Sequence, residues 1–274
     1  MIKKFTLLIL STLILKPTVA QAEDCSIKVG VVPQYEQRKI FQIWMPILEA
    51  LEERTGCQFE LIGSGSLIEF EKAVKRGVYD LAYMNPYHVM IAKKAQGYEP
   101  IARSGEKQLT GILVVRKDSS IEDIAALDEQ EIAFPSPNSL GASLLMRAEL
   151  AAKQDIYVNP KYVKTHSSVY LHVAKGLTIA GGGVTRTLNE QPDYIKDKLR
   201  ILYTTNPVNS HPVVMHPRTS KAMQKKVQDA WLGLVETEAG MLENIPMEEP
   251  VAASYYDYSC LEELELEEFV WNQE

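Results

Sequence analysis

Two stretches of this 274-residue chain gather small hydrogen-bond donors where the backbone turns into a helix. The first is Pro137-Asn138-Ser139-Leu140-Gly141-Ala142-Ser143, a loop of small residues entering an apolar-periodic segment. A helix start carries unpaired N–H groups and a partial positive charge of roughly half a unit, an arrangement that holds an oxyanion. The Ser139 and Ser143 hydroxyls add donors, and Gly141 lets an oxyanion approach the backbone. Ordinary helix capping by Ser139 asks for the same residues, so the pattern alone leaves both readings open. The second stretch is His166-Ser167-Ser168, at the end of a strand and ahead of a helix from Ser167. Either His166 ring nitrogen can bond an anion, or the ring is structural. Tyr83 and Tyr87 flank Met84-Asn85-Pro86 just after a third strand, and Tyr35 follows the first. Ligands of open α/β sheets bind beyond the carboxyl ends of strands. Tyr83 as a core residue with a satisfied hydroxyl is the competing reading.

Chemistry of turnover is harder to find. No nucleophile elbow, HExxH or paired metal-ligand histidines occur, and His88, His166, His172, His211 and His216 are scattered. His166 and Ser143 lack a third member of a triad. No catalytic, metal or cofactor residue is therefore assigned, and the chain reads as not an enzyme.

The elements that must position these donors alternate. Ile27–Val32, Phe59–Ile62 and Asp80–Met84 read as short buried strands, separated by helical patterns over Ile40–Leu51, Leu67–Arg76 and His88–Gln96. Pro46 is expected to kink the first of those helices. Thr110–Arg116 reads as a strand crossing into a second unit. There Glu131–Phe134, Leu140–Lys153, Tyr162–Thr165, Ser167–Lys175 and Thr178–Val184 repeat the alternation. Arg200–Thr204 returns, Pro212–His216 is one more strand, and Ser220–Glu238 is an amphipathic helix. The prediction is an α/β fold of two lobes, each a mainly parallel sheet flanked by helices, with a hinge of two crossover strands. Residues 23–109 with 206–274 form a split lobe and 110–205 an inserted one. The acidic run Glu262–Glu268 reads as a solvated, partly helical end.

Lys3 and Lys4, the apolar run Phe5–Leu15, and the pair Ala20 and Ala22 read as a signal peptide over residues 1–22. Removing Lys3, Lys4 and Lys16, and no acid, takes the formal charge from −7 to −10. That balance argues against nucleic acid or an anionic membrane as partner, and no insertion of the mature chain into a membrane is expected. In an oxidising compartment two of the three cysteines pair. Cys25 and Cys57 each precede an apolar run. If those runs are adjacent parallel strands, the two lie at one end of the sheet and form the disulfide, with Cys260 left over.

The ordered segments VPQYEQRKIFQIWMPILEALEERTG, AVKRGVYDLAYMNPYHVMIA, FPSPNSLGASLLMRAEL and THSSVYLHVAKG resemble the substrate-binding component of phosphate, phosphite and phosphonate ABC importers. The resemblance covers nearly the whole mature chain. It implies a two-lobed, type II-like periplasmic binding fold that closes about a hinge, acting as a monomer in the periplasm. It also implies a small phosphoryl-type anion in the cleft, presented to an ABC permease. On that footing the ligand set is Tyr35, Tyr83, Tyr87, Asn138, Ser139, Gly141, Ala142, Ser143, His166, Ser167 and Ser168. The chain departs from the family pattern at several positions. Ser167 stands where aminoalkyl phosphonate binders place an acid, and a second acid is missing from Thr178–Gly183. A cationic ligand head would lack its counter-charge. Leu140 and Gly141 replace hydroxyl residues, and Leu67 stands where an aromatic is common. The altered ligand residues keep open a sensor that docks on a membrane signalling receptor, and Leu67 a cleft filled by the protein's own side chains; an exported hydrolase is a separate and weaker alternative.

Overall fold

The computed structural model describes residues 25–270, with 238, 246, 248 and 265 excepted. The expected signal peptide and its cleavage site lie outside the described residues. Strand β1 (Ser26–Val31) starts the first sheet and is buried at Ile27, Val29 and Val31. Its Gly30 is required by packing, because a Cβ there would lie 2.5 Å from the Tyr79 ring. Helix α1 (Gln37–Thr55) follows and buries Trp44, Ile47, Leu48 and Leu51. It runs on through Pro46, which sits on the exposed face. The carbonyl that Pro46 cannot pair is therefore open to solvent. Then come β2 (Gln58–Ile62), α2 (Leu67–Lys75), β3 (Leu81–Tyr83), α3 (Pro86–Gln96) and β4 (Glu99–Ser104).

The chain leaves this unit through β5 (Gln108–Leu109) and builds a second from β6 (Ile112–Arg116) and β7 (Glu131–Phe134). A wide π turn over Leu140–Leu144 leads into α4 (Leu145–Gln154), in place of the single helix expected there. β8 (Asn159–Tyr162), α5 (His166–Ala174), β9 (Ala180–Gly183), α6 (Thr185–Asn189) and β10 (Leu199–Thr204) complete the unit. The return runs through β11 (Val208–Asn209) to β12 (Val213–Met215) and β13 (Pro250–Ala252).

Among the described residues the strands make three sheets, ordered β13-β4-β12-β3-β1-β2, β10-β6-β9-β7-β8 and β11-β5. The two large sheets are mixed, which corrects the mainly parallel expectation. β1 pairs parallel with β2 and β3, but β12 enters antiparallel between β3 and β4, and β13 adds antiparallel to β4. In the second sheet β7 pairs parallel with β8 and β9, while β6 pairs antiparallel with β9 and β10. Each excursion between the units sends a strand back against the direction of the βαβ core. The actual crossing is the short antiparallel pair β5–β11, and β6 and β10 lie inside the second sheet.

Cys25 and Cys57 are disulfide-bonded with their Cα atoms 4.7 Å apart, at the N-terminal ends of the paired strands β1 and β2. Cys260 is free and exposed. The acidic end is not a solvated tail. Leu261 and Leu266 are each 1 % exposed and pack with Tyr87, Leu140, Leu144 and Leu145, so this segment covers the junction of the two units. Leucines spaced among the glutamates give its 3-10 turns an apolar side. No helix among the described residues is long and apolar enough to cross a membrane.

Candidate functional site

The two units enclose a cleft of about 590 Å³. Five helices begin at it. α1 presents Glu36 and Gln37, α2 presents Ser66 and Leu67, and α3 presents its cap Asn85. From the second unit, Ser139 and Leu140 open the π turn, and Thr165 and His166 open α5. Each start follows a strand of its sheet, so the polar ends of five helices meet in one place.

The caps are built from local sequence. Ser66 Oγ accepts the Glu69 N–H at 3.2 Å, and the Glu69 carboxylate accepts the Gly65 N–H at 2.8 Å. Asn85 Oδ1 accepts the His88 N–H at 3.0 Å. Thr165 Oγ1 accepts the Ser168 N–H at 3.1 Å. Ser139 differs: its carbonyl accepts from the Ser143 and Leu144 N–H groups at 2.8 and 3.1 Å, but its side chain makes no capping bond. The capping alternative raised by the sequence therefore does not describe Ser139. The turn is pressed onto the sheet by β9, since a Cβ on Gly182 would lie 2.0 Å from the Ala142 carbonyl oxygen. The glycine run of β9 thus serves packing within its own unit.

The structure brings Tyr35, Ser139, Gly141 and His166 to the cleft and sends the other predicted ligand residues elsewhere. The space beside the Gly141 Cα is filled by Leu109 and Val184 rather than left to a ligand. Tyr83 is 1 % exposed and lies beneath the floor, stacked on His211 with ring centroids 5.5 Å apart. Its hydroxyl has no partner among the described residues. Tyr87 belongs to the apolar cluster on the hinge side. Asn138 also turns away from the cleft and donates to Glu71 Oε2 at 3.0 Å. Ala142 is buried in the π turn, and buried Ser143 accepts from Arg147 Nε at 3.3 Å. Ser167 is exposed at the outer rim beside Gln191, and Ser168 is tied to its cap Thr165. The helix starts one residue earlier than expected, so Thr165 rather than His166 ends the loop.

Several cleft residues were not singled out from sequence: Thr165, Gln34, Gln37, Ser136 and His211. Thr165 carried a signal, a threonine directly before a helical pattern. His211 carried none, because it depends on β12 returning between β3 and β4.

Charged side chains at the cleft wall are few. Glu36 and Lys164 line it, and both are exposed. Burial depresses His166 to a pKa of about 4, despite the carboxylate of Glu190 nearby. Burial, with His88 and His166 adding like charge, brings His211 to about 3. Both rings are thus neutral at pH 7. His166 Nδ1 lies 3.3 Å from Thr187 Oγ1, and the Gln34 amide reaches His211 Nε2 at 3.0 Å. The attraction this cleft offers an anion comes from helix starts and neutral donors, with one exposed cation, Lys164, at the wall.

At the outer edge the units are bridged. Glu190 accepts from Lys39 Nζ at 2.7 Å, from the Tyr35 hydroxyl at 3.0 Å and from Arg186 Nε at 3.2 Å. Arg186 also donates to the Glu243 carbonyl at 2.9 Å. Burial pushes the Glu190 carboxyl up, but the Lys39 and Tyr35 hydrogen bonds outweigh it and hold the pKa below the usual range.

Residues 29–258 match the family model described as ABC transporter, phosphonate, periplasmic substrate-binding protein. The chain belongs to this family. Its members are periplasmic substrate-binding proteins that serve an ABC transporter. Solved structures repeat the two-lobed fold at low identity. A binding protein component of an ABC phosphonate transporter from Pseudomonas aeruginosa superposes with TM-score 0.77 at 17 % identity, over 89 % of this chain and 86 % of that one. PhnD1 from Prochlorococcus marinus, in complex with methylphosphonate, gives 0.78 at 16 % over 87 % and 96 %. A Xanthomonas citri protein bound to ATP gives 0.74 at 17 % over 90 % and 99 %. Within the periplasmic phosphonate-binding family, a cleft ringed by helix starts suits an oxyanion held by hydrogen bonds. Ser143, the hydroxyl considered with His166 as part of a triad, faces Arg147 inside the second lobe instead.

Proposed function

We propose that the exported chain captures a phosphoryl-type oxyanion between its two lobes, 23–109 with 206–274 and 110–205, and hands it as a monomer to an ABC importer without turning it over. The observation that carries this reading is the convergence of five helix starts on one cleft with neutral donors at their mouths. Ser139, whose hydroxyl makes no capping bond, and His166, whose ring lines the cleft, are the proposed side-chain contacts. The Leu140 and Gly141 N–H groups belong to the orphan donors of a helix start. An aminoalkyl phosphonate is a poor ligand, because Ser167 offers no counter-charge, Glu190 is already committed to Lys39 and Arg186, and Glu36, the acid at the cleft wall among the described residues, is exposed and screened by solvent.

The test is thermal stabilisation of the chain from Glu23 onward by phosphate, phosphite, methylphosphonate, 2-aminoethylphosphonate, sulfate and acetate. A ligand at a hundred times its Kd adds about 2.7 kcal/mol. We expect stabilisation by a phosphoryl anion, diminished when Ser139→Ala is combined with His166→Ala. Stabilisation by acetate or sulfate alone would refute the phosphoryl assignment.

A further inference from the structure

The cleft is too large and too apolar for a small oxyanion alone. Its volume of about 590 Å³ lies in the range of roughly 300–1,000 Å³ that accommodates drug-sized ligands. That volume persists with the outer edge already bridged by Tyr35, Lys39 and Glu190, so simple closure does not remove it. Part of the wall is aliphatic, beside polar groups such as Gln34, Tyr162 and Lys164. Leu67 and Ile68 come from the first turn of α2, Leu109 from the crossing strand, and Pro135, Leu140 and Val184 from the second lobe. Leu67, Ile68, Leu109 and Val184 are only half-buried, so each keeps apolar surface toward the cleft. Apolar surface that both lobes turn to a shared cavity is stabilised by an apolar guest. The polar groups meanwhile sit at the helix starts, where one headgroup can engage them.

Resting on the oxyanion reading above, we infer that the ligand is a phosphonate or phosphate monoester whose substituent is uncharged, apolar and bulkier than methyl. The headgroup binds at Ser139, Thr165 and His166, and the substituent lies along Leu67, Ile68 and Leu109. The substituent carries no amine, because the exposed Glu36 is the one acid at the wall among the described residues.

Calorimetric titration with methyl-, propyl-, hexyl- and phenylphosphonate, with hexanoate and hexanol as controls, tests this. Each buried methylene should tighten binding roughly fourfold, so hexylphosphonate should exceed methylphosphonate by orders of magnitude. Leu67→Ser combined with Ile68→Ser should flatten that dependence, and the melting temperature without ligand checks that the variant folds. Methylphosphonate binding as tightly as the longer chains would overturn the inference and leave the oxyanion reading standing. Hexanoate or hexanol binding in place of every phosphonate would instead overturn the phosphoryl headgroup. Binding of none of these compounds would overturn both.

Discussion

The two sides of the lobe junction are built from opposite materials. On the hinge side Glu71, His88, Asn85 and Asn138 are buried and bonded to one another across the lobes. Beside them Tyr87, Leu140, Leu144, Leu261 and Leu266 form an apolar seal. Arg147 ties the Pro137 carbonyl to the Phe269 carbonyl at 2.9 and 2.8 Å. On the cleft side, polar groups line an open volume, and the lobes are bridged at the outer edge by the Lys39–Glu190 ion pair, the Tyr35–Glu190 bond and the bond from Arg186 to the Glu243 carbonyl. A polar group whose bonds are made within the protein fixes geometry, and one whose capacity is left over recognises a ligand. The hinge side therefore sets the angle of the donors while the cleft side uses them.

The largest expected effect separates the sides by pH. His166 and His211 are held neutral in the folded cleft, at about 4 and about 3, whereas the unfolded chain takes up both protons near pH 6.5. As pH falls from 6.5 toward 4 the unfolded state binds more protons than the folded one. Stability therefore drops, by as much as about 1.4 kcal/mol per pH unit for each histidine. Urea unfolding between pH 7 and 5 should show this fall, and His211→Phe, which keeps a ring against Tyr83, should reduce its slope. A bound oxyanion favours the imidazolium of His166, so stabilisation by ligand should grow over the same interval. A flat profile would mean that solvent reaches both rings.

On the hinge side, Glu71→Ala removes the acceptor of both His88 and Asn138 and leaves two buried donors without it. Burial pushes the Glu71 carboxyl up, but the His88 and Asn138 hydrogen bonds prevail and hold its pKa below the usual value. Loss of such a partner costs about 3 kcal/mol, read as a lower urea midpoint. Because Asn138 adjoins Ser139, ligand affinity should fall as well. A midpoint within error of the parent would show that the network does not join the lobes in solution.

Asn138 and Ser139 also mark how far the sequence could be read. Both lie in one small-residue loop, and both suit an anion site by type. Yet Asn138 faces Glu71 and Ser139 faces the cleft, because the chain turns at Pro137 and Asn138, where the Ser139 N–H donates to the Ser136 carbonyl, and side chains on either side of the turn diverge. Which side is the cleft depends on where the other lobe sits, and no local pattern carries that. Tyr87 was misplaced for the same reason, two residues after the cap Asn85, which does reach the cleft. Local signals fared better. The apolar runs that begin at Ile27 and Phe59 put Cys25 and Cys57, just before them, at one end of adjacent strands, and the alternation of strand and helix gave the class of fold. β4 escaped notice because Pro100 and Arg103 break its apolar run. β13 is a three-residue strand with exposed side chains. Both strands owe their place to the sheet they join.

The smallest effect on stability belongs to the outer edge, and it sharpens the contrast most. Lys39 and Glu190 are 45 % and 31 % exposed as side chains, so Glu190→Gln should cost under about 1 kcal/mol, diminished further by salt. Its consequence lies in the closing equilibrium, because Glu190 joins Tyr35 and Lys39 of one lobe to Arg186 of the other. Losing those bonds favours the open form, and affinity falls by the fraction of closed molecules lost. Small-angle scattering of the ligand-free protein should report a larger radius of gyration for Glu190→Gln than for the parent, with nearly the same urea midpoint. Glu71→Ala should instead lower the midpoint. If Glu190→Gln lowered the midpoint as much as Glu71→Ala, the outer edge would be structural glue like the hinge side, and the division between the two would fail.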